Sequence, residues 1–233
     1  MVYSYAPGRS GEHAVMLPQG YTGVLQTDGY AACRSLADPK RAGGPATLAF
    51  CWAHWRRQWF DIAKSLPAPT VTEALKRIAE LYEIEGEIRG KSADERRAAR
   101  QQKTKPLAEA LRAWLEKTLA QVAGGSSIAQ AIRYVLSRWD GLVRFLDDGR
   151  IEIDSNTVER AMRPIALSRK NALFAISDEG AENWGMLASL IESCKLHGVN
   201  PEAYLTDVLT KLVNNWPNSR LAELTPWAWS TAH

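Results

Sequence analysis

An α/β fold interrupted by a long helical block is predicted by three features of this sequence. Strand-like alternation is confined to residues 1–64 and 151–176, residues 70–145 carry almost purely helical periodicity, and a 45% hydrophobic content over 233 residues can supply a substantial core. The expected organisation is an N-terminal part of the α/β core over 1–66, a helical insertion over 67–150, and a C-terminal part of the core with closing helices over 151–233.

The first strand is read at Val24–Thr27, ending in Asp28-Gly29. Gly29 permits a tight exit and leaves Asp28 at the strand's C-terminal edge, where α/β sheets bind ligands. Asp-Gly is also a common turn dipeptide, so Asp28 gains weight only in company. Thr47–Phe50 reads as a second strand that turns at Cys51 into a helix bearing Trp55, Trp59 and Ile62.

The helical block shows three apolar stripes. Val71, Leu75, Ile78 and Tyr82 form one; Leu107, Leu111, Trp114, Leu115, Leu119 and Val122 form another; Ile128, Ile132, Val135, Leu136 and Trp139 form the last. Ser127 and Gln130 have the spacing of a capping box at its start. Between the first two stripes, Arg89 to Lys105 holds seven basic against two acidic residues, which reads as a solvated linker or exposed helix, with DNA contact as the sharper alternative. The block is expected to bury its stripes against one another, as an insertion that separates the flanking segments in sequence without separating them in space.

After the block, Ile151 and Ile153 alternate as the end of a half-buried strand, and Asp154 or Ser155 can cap a helix starting near Asn156. Pro164 disfavours helical geometry at Arg163, so that helix is predicted to be short or kinked. On it Asn156, Glu159, Arg160 and Arg163 fall at i, i+3, i+4 and i+7, gathering a carboxylate and two guanidiniums on one face that suits a metal ion beside a phosphate. A Glu159–Arg163 surface pair is the plainer reading of the same spacing.

Two more helices close the chain. Ser177 or Asp178 can cap a helix whose Trp184, Leu187, Ile191 and Cys194 share a face, with Gly198 at its left-handed exit. Asn200 then caps a helix beginning at Pro201. The tryptophans of Leu224-Thr-Pro-Trp-Ala-Trp229 are read as anchors onto a core rather than base-stacking platforms.

Net charge of +3 and a pI near 8.8 are only mildly basic. The distribution says more, because Arg56, Arg57, Arg160, Arg163, Arg169 and Lys170 flank the carboxylate-bearing segments, where they can neutralise phosphates. No apolar run approaches the roughly 18 residues of a membrane span, and the start lacks the regions of a signal peptide. Three cysteines, Cys33, Cys51 and Cys194, fit reduced thiols, and the expected location is the cytoplasm. Cys51-x-x-His54 and Cys194-x-x-His197 together hold the ligand types of a Cys2His2 zinc site. Buried thiols at the start of one helix and on the apolar face of another are the preferred reading, with His54 near an active site or DNA. No arrangement favours a protein nucleophile, and no Gly-rich phosphate loop is present.

Five ordered blocks carry a family resemblance: Leu25-Gln-Thr-Asp-Gly-Tyr-Ala, Cys51-Trp-Ala-His-Trp-Arg-Arg57, Ile153-Asp-Ser-Asn-Thr-Val-Glu-Arg-Ala-Met-Arg-Pro164, Ser168-Arg-Lys-Asn171 and Gly198-Val-Asn-Pro-Glu-Ala-Tyr-Leu205. In this order they resemble the bacterial insertion sequence 66 family of transposases over nearly the whole chain. The resemblance implies a DDE-type catalytic core with an RNase H-like fold, in which three acidic residues hold two divalent ions, Mg2+ or Mn2+, that cut DNA and rejoin its ends. Asp28 resembles the second acid and Glu159 the third. These two are the expected catalytic and metal-ligating residues, while His54, Arg56, Arg57, Arg160, Arg163, Arg169, Lys170 and Asn171 are the expected DNA contacts.

The family's first acid lies on a strand upstream of the matched segment, and Glu12, the one acidic residue before Asp28, does not match it. The expectation is therefore a partial core, its first strand missing, from a fragment, a truncated gene or half of a split protein. A catalytically inactive DNA-binding or regulatory remnant is the alternative. Synapsis of two DNA ends points to a homodimer, and accessory proteins of the same element are further candidate partners, though no residue pattern marks either.

Overall fold

The computed structural model describes residues 1–8, 10–29, 31–66, 68–171 and 177–232, with the side chains of 14, 166, 168–171 and 231–232 outside that description. Most of the described chain is helical, and its two strands form a small parallel sheet. After a short helix α1 (Gly11–Met16), β1 (Val24–Thr27) and β2 (Thr47–Phe50) fall where strands are expected, Val24 opposite Thr47 through Thr27 opposite Phe50. A 3-10 segment (Ala31–Ala37) occupies their crossover, and its buried Leu36 accepts the Ala46 N–H at 2.8 Å just before β2. Two compact units are present, residues 14–159 and residues 1–13 with 160–233.

In the first unit, α2 (Trp52–Ser65) buries Trp52, Trp55 and Trp59 on one face. Their rings meet edge-on, with centroids 5.4 Å apart for Trp52–Trp55 and 5.9 Å for Trp55–Trp59. A buried indole N–H usually finds an acceptor, and two of the three do so, while Trp59 Nε1 has none among the described residues. Trp52 Nε1 donates to the Leu142 carbonyl at 2.7 Å and Trp55 Nε1 to the Ala131 carbonyl at 3.2 Å.

Those acceptors belong to the helical block, which comprises α3 (Pro69–Glu87), α4 (Ala93–Ala99), a π-helical turn (Arg100–Thr104), α5 (Lys105–Leu119), α6 (Ser127–Leu136), α7 (Trp139–Val143) and a 3-10 turn (Arg144–Leu146). The three predicted stripes lie on α3, α5 and α6–α7. They pack on the α2 tryptophans and Ala49 of β2 as well as on one another, so the block and the sheet share one core. The cap of α6 falls one residue earlier than expected: Ser126 accepts the Ala129 N–H at 3.2 Å, while the Gln130 side chain donates to the Gly125 carbonyl.

The basic run is where sequence reasoning departs most from the structure. Arg100 is fully buried and Arg96 nearly so, neither solvated nor offered to DNA. Arg100 grips buried Glu85 through Nε and Nη2 at 2.8 and 2.7 Å, and its Nη1 donates to the carbonyls of Phe145 and Ile151, both at 2.9 Å. Arg96 holds Glu152 with two bonds of 2.7 Å. Pro106, just inside α5, has no N–H to give, and the wider π turn before it relieves its ring against the preceding carbonyls.

Ile151 and Ile153 are buried as predicted, yet the segment is not a strand. Its carbonyls are taken one by one by unrelated donors: Ile151 by Arg100, Glu152 by Gln26 Nε2 at 2.8 Å, and Ile153 by the Trp52 N–H at 3.1 Å. α8 (Asn156–Asn171) follows, starting where expected, with Asp154 Oδ1 accepting the Asn156 N–H at 3.0 Å. It does not stop at Pro164. Arg160, whose carbonyl loses its donor there, is exposed, and water can satisfy that group.

In the second unit, α9 (Asp178–Leu196) is capped by Ser177, which accepts the Gly180 N–H at 3.1 Å, and Gly198 takes φ +68° beyond its end. Asn200 caps α10 (Pro201–Val213) by accepting from Glu202 and Ala203, as predicted. A 3-10 segment (Asn218–Leu224) and α11 (Pro226–Ala232) complete a core of Cys194, Val199, Tyr204, Val208 and Leu224. Leu187 is half-exposed instead of joining Cys194, and the N-terminal segment runs along Ser189 and Ser193, whose hydroxyls accept from the Tyr3 N–H and the Met1 amine at 2.8 and 3.0 Å. Trp229 is the anchor the sequence suggests, edge-on to Tyr204 and donating to Asp207 at 2.8 Å, whereas Trp227 is half-exposed beside His197.

Removing one partner of the buried ion pair leaves an uncompensated charge. Glu85→Ala should therefore lower unfolding free energy by about 3–5 kcal/mol in a urea titration. Loss of no more than about 1 kcal/mol, the value of a surface pair, would contradict the buried network.

The adjoining loop carries a pH signature. Side-chain and then backbone hydrogen bonds from Arg150 hold the Asp148 carboxyl at about 2 against an ordinary 3.8. A depressed folded-state value stabilises above the unfolded one and is lost on acidification. Wild type should exceed Asp148→Asn in stability at neutral pH, the gap closing as pH falls from 3.8 toward about 2; a gap indifferent to pH across that window would refute the pairing.

Candidate active site

Because β1 and β2 are parallel, their C-terminal ends share one edge, and the chain leaves each strand at a residue of chemical interest. Asp28 follows β1 and is exposed; Gly29, at φ +85°, turns the chain away. The Tyr134 hydroxyl of α6 donates to the Asp28 carbonyl at 3.2 Å. On the other side lies Cys33, whose thiol is pushed up first by burial and then by the negative charge of Asp28.

Cys51 follows β2. Its N–H donates to the Thr27 carbonyl at 3.2 Å, which continues the β1–β2 pairing by one bond and sets Cys51 beside the exit of β1. It is also the N-cap of α2, so its side chain points along the start of that helix, one turn from His54. The tryptophans hold the opposite face of α2 in the core, leaving Arg56 and Arg57 exposed.

The start of α8 is brought to the same place by two bonds to the Cys51–Trp52 turn. Trp52 N–H donates to the Ile153 carbonyl, and Ser155 N–H donates to Cys51 Sγ at 3.2 Å. Glu159, in the first turn of α8, then lies with Oε1 3.5 Å from His54 Nδ1. That separation is at the outer limit of a hydrogen bond, and the ring nitrogen is shielded from solvent without another partner. The two side chains are 39% and 50% exposed, so the pair opens to solvent on one side.

One donor atom each from Cys51, His54 and Glu159 lie within 4.8 Å of one another, the spacing of groups able to share a metal ion. Asp28 stands at the same sheet edge but is not one of the three. Tyr82, on α3, adjoins this region, and burial, with the charge of Asp154 second, pushes its phenol far above the usual range and keeps it protonated.

Of the residues singled out from sequence, the structure thus brings His54 and Glu159 together and sets Asp28 on the neighbouring strand end. Arg56 and Arg57 are exposed on α2, and Arg160 and Arg163 are exposed on the part of α8 that belongs to the second unit. The side chains of Arg169, Lys170 and Asn171 lie outside the described residues. Sequence reasoning missed Cys51 as a donor. The signal was the Cys51-x-x-His54 spacing, weighed only with Cys194 and His197; Cys194 is a buried core thiol of the second unit, and His197 Nδ1 lies 2.8 Å from the Ser193 carbonyl.

No described helix is long and apolar enough to cross a membrane. No solved structure matches the chain. Three Sinorhizobium fredii proteins do, each named an uncharacterized protein: y4qI at 42% identity, y4jD at 43% and y4hP at 40%, covering 97%, 97% and 99% of this chain. The chain spans under half the length of these relatives, 43%, 45% and 44% respectively. Residues 1–183 match the family model described as Transposase IS66 family, and residues 189–227 match the IS66 C-terminal element. The chain therefore belongs to the IS66 family of transposases.

Proposed function

We propose that this chain is part of the catalytic region of a DDE-type transposase, acting on DNA in the cytoplasm to cut the ends of an insertion sequence and join them to a target. The observation that carries the reading is Cys51, which is bonded both to the exit of the Asp28 strand and to the entry of the Glu159 helix. Two acids far apart in sequence are thereby tied to one sheet edge, the place where α/β folds bind ligands. In this reading β1, β2 and α8 belong to an RNase H-like core, and residues 67–150 form a helical insertion into it.

Asp28 and Glu159 would hold divalent metal. The fit is supported by the half-exposed Glu159 carboxylate, an oxygen ligand of the kind that hard divalent ions take. When bound, divalent ions supply charge neutralisation at the scissile phosphate and activation of the attacking group. The chain's own residues position and neutralise. Exposed Arg56 and Arg57 lie on the helix that carries His54, where guanidiniums can grip phosphate oxygens in pairs. Arg160, Arg163, Arg169, Lys170 and Asn171 would hold DNA along α8. Water displaces the strand at the element's end, and the freed 3′ hydroxyl attacks target DNA, so both displacements occur at phosphorus without a covalent protein intermediate.

The purified chain should nick duplex carrying the element's end sequence in Mg2+ or Mn2+. Asp28→Asn and Glu159→Gln should each reduce nicking about 100-fold or more and leave duplex binding in chelator unchanged. Salt-sensitive binding with no nicking by the unaltered chain would instead establish an inactive DNA-binding remnant. Arg56→Ala and Arg57→Ala should each flatten the log–log salt dependence of binding by about 1; unchanged slopes would remove α2 from the DNA contact surface.

A further inference from the structure

We infer that Cys51, His54 and Glu159 form a binding site for a single divalent ion of zinc-like softness, with thiolate, imidazole and carboxylate as its protein ligands. The donors lie within 4.8 Å of one another, close enough to surround one ion after small side-chain rotations. They come from a single α2 turn, which carries Cys51 and His54, and from the first turn of α8, which carries Glu159. The Trp52 N–H to Ile153 carbonyl bond, with the Ser155 N–H to Cys51 Sγ bond beside it, joins those turns and makes their juxtaposition a property of the fold.

Two further observations point to a ligand. His54 Nδ1 is shielded from water and has only Glu159 Oε1 nearby, at 3.5 Å, a costly arrangement for a ring nitrogen unless something else meets it. Cys51 Sγ already accepts the Ser155 N–H at 3.2 Å, the kind of outer-shell bond that orients a ligand sulfur and disperses its charge. The half-exposed His54 and Glu159 leave an approach from solvent, so three protein ligands would be completed by water or a phosphate oxygen.

The chemistry of the set selects the ion. Magnesium takes oxygen ligands in near-octahedral geometry and has little use for sulfur or imidazole. A thiolate, an imidazole and one carboxylate suit zinc or cobalt in four-coordination, and the two anionic ligands balance the ion's charge. The inference shares Glu159 with the strand-cutting reading but rests on the donor set alone.

Cobalt provides the test, because a thiolate ligand gives a near-ultraviolet charge-transfer band and tetrahedral coordination gives strong visible bands. The purified chain, stripped with chelator and titrated with Co2+, should develop both stoichiometrically. Zn2+ should bleach them, and excess Mg2+ should not. Cys51→Ser should remove the charge-transfer band. His54→Gln and Glu159→Gln, at half-exposed positions, should each weaken Co2+ binding more than the roughly 10–100-fold typical of outer-shell changes, with circular dichroism and melting in chelator unchanged. Absence of the charge-transfer band, its survival in Cys51→Ser, or displacement of Co2+ by Mg2+ would overturn the site. A thiolate band without DNA nicking leaves this site standing and removes the catalytic reading; nicking without the band does the reverse.

Discussion

Three consecutive carbonyls, those of Ile151, Glu152 and Ile153, hold the first unit together, because each is bonded to a different part of it. Arg100 brings the helical block, Gln26 brings β1, and the Trp52 N–H brings α2. A regular strand would satisfy such carbonyls with one neighbouring backbone. Here they join three elements, and the segment they pin delivers Asp154, Ser155 and the first turn of α8 to the sheet edge. The position of Glu159 is thus set by residues that never touch it.

Arg100 is the most demanding of the three donors. Taking a guanidinium and a carboxylate out of water costs several kcal/mol per ion, which their attraction recovers only when the remaining hydrogen-bonding groups are also met. Glu85 occupies two of its nitrogens, the Phe145 and Ile151 carbonyls occupy the third, and the Phe145 ring lies 5.0 Å from its guanidinium carbon. A buried pair of this kind adds little net stability over an apolar replacement. Its contribution is directional: an apolar side chain could fill the space but could not fix the register of Ile151 against the π-helical turn.

How much of this was legible in the sequence depended on the range of the interactions. Val24–Thr27 and Thr47–Phe50, the caps at Ser177 and Asn200, and the exit at Gly198 were readable because each is decided within a few residues. The Ile151–Ile153 alternation correctly marked burial but not strand pairing, since alternation reports only which side faces inward. Arg96 and Arg100 looked like part of a solvated run, because nothing near them in sequence shows that Glu85, Glu152 and the Phe145–Ile151 carbonyls converge on them. Helix-ending power was overestimated at Pro164, where exposure lowers the cost of a missing bond. At the site, Glu159 and His54 were each singled out, but their meeting, and the part taken by Cys51, depends on contacts spanning about a hundred residues that local pattern does not encode.

The meeting of two helix starts also decides what charge the site tolerates. Cys51 caps α2, and Glu159 lies in the first turn of α8, so the N-terminal ends of both helices adjoin the region where the donors gather. Helix N-termini favour negative charge, which stabilises a carboxylate and a metal-bound thiolate but not a bare cation. An ion held there must therefore be held by its ligands, and its affinity should depend on covalent character in the metal–sulfur and metal–nitrogen bonds more than on the surrounding field. A phosphate group is favoured by the same field without any such condition. Under the proposed reading, a cation would be held by its ligands while a phosphate of a DNA backbone would meet the same field from solvent, with half-exposed Glu159 between them.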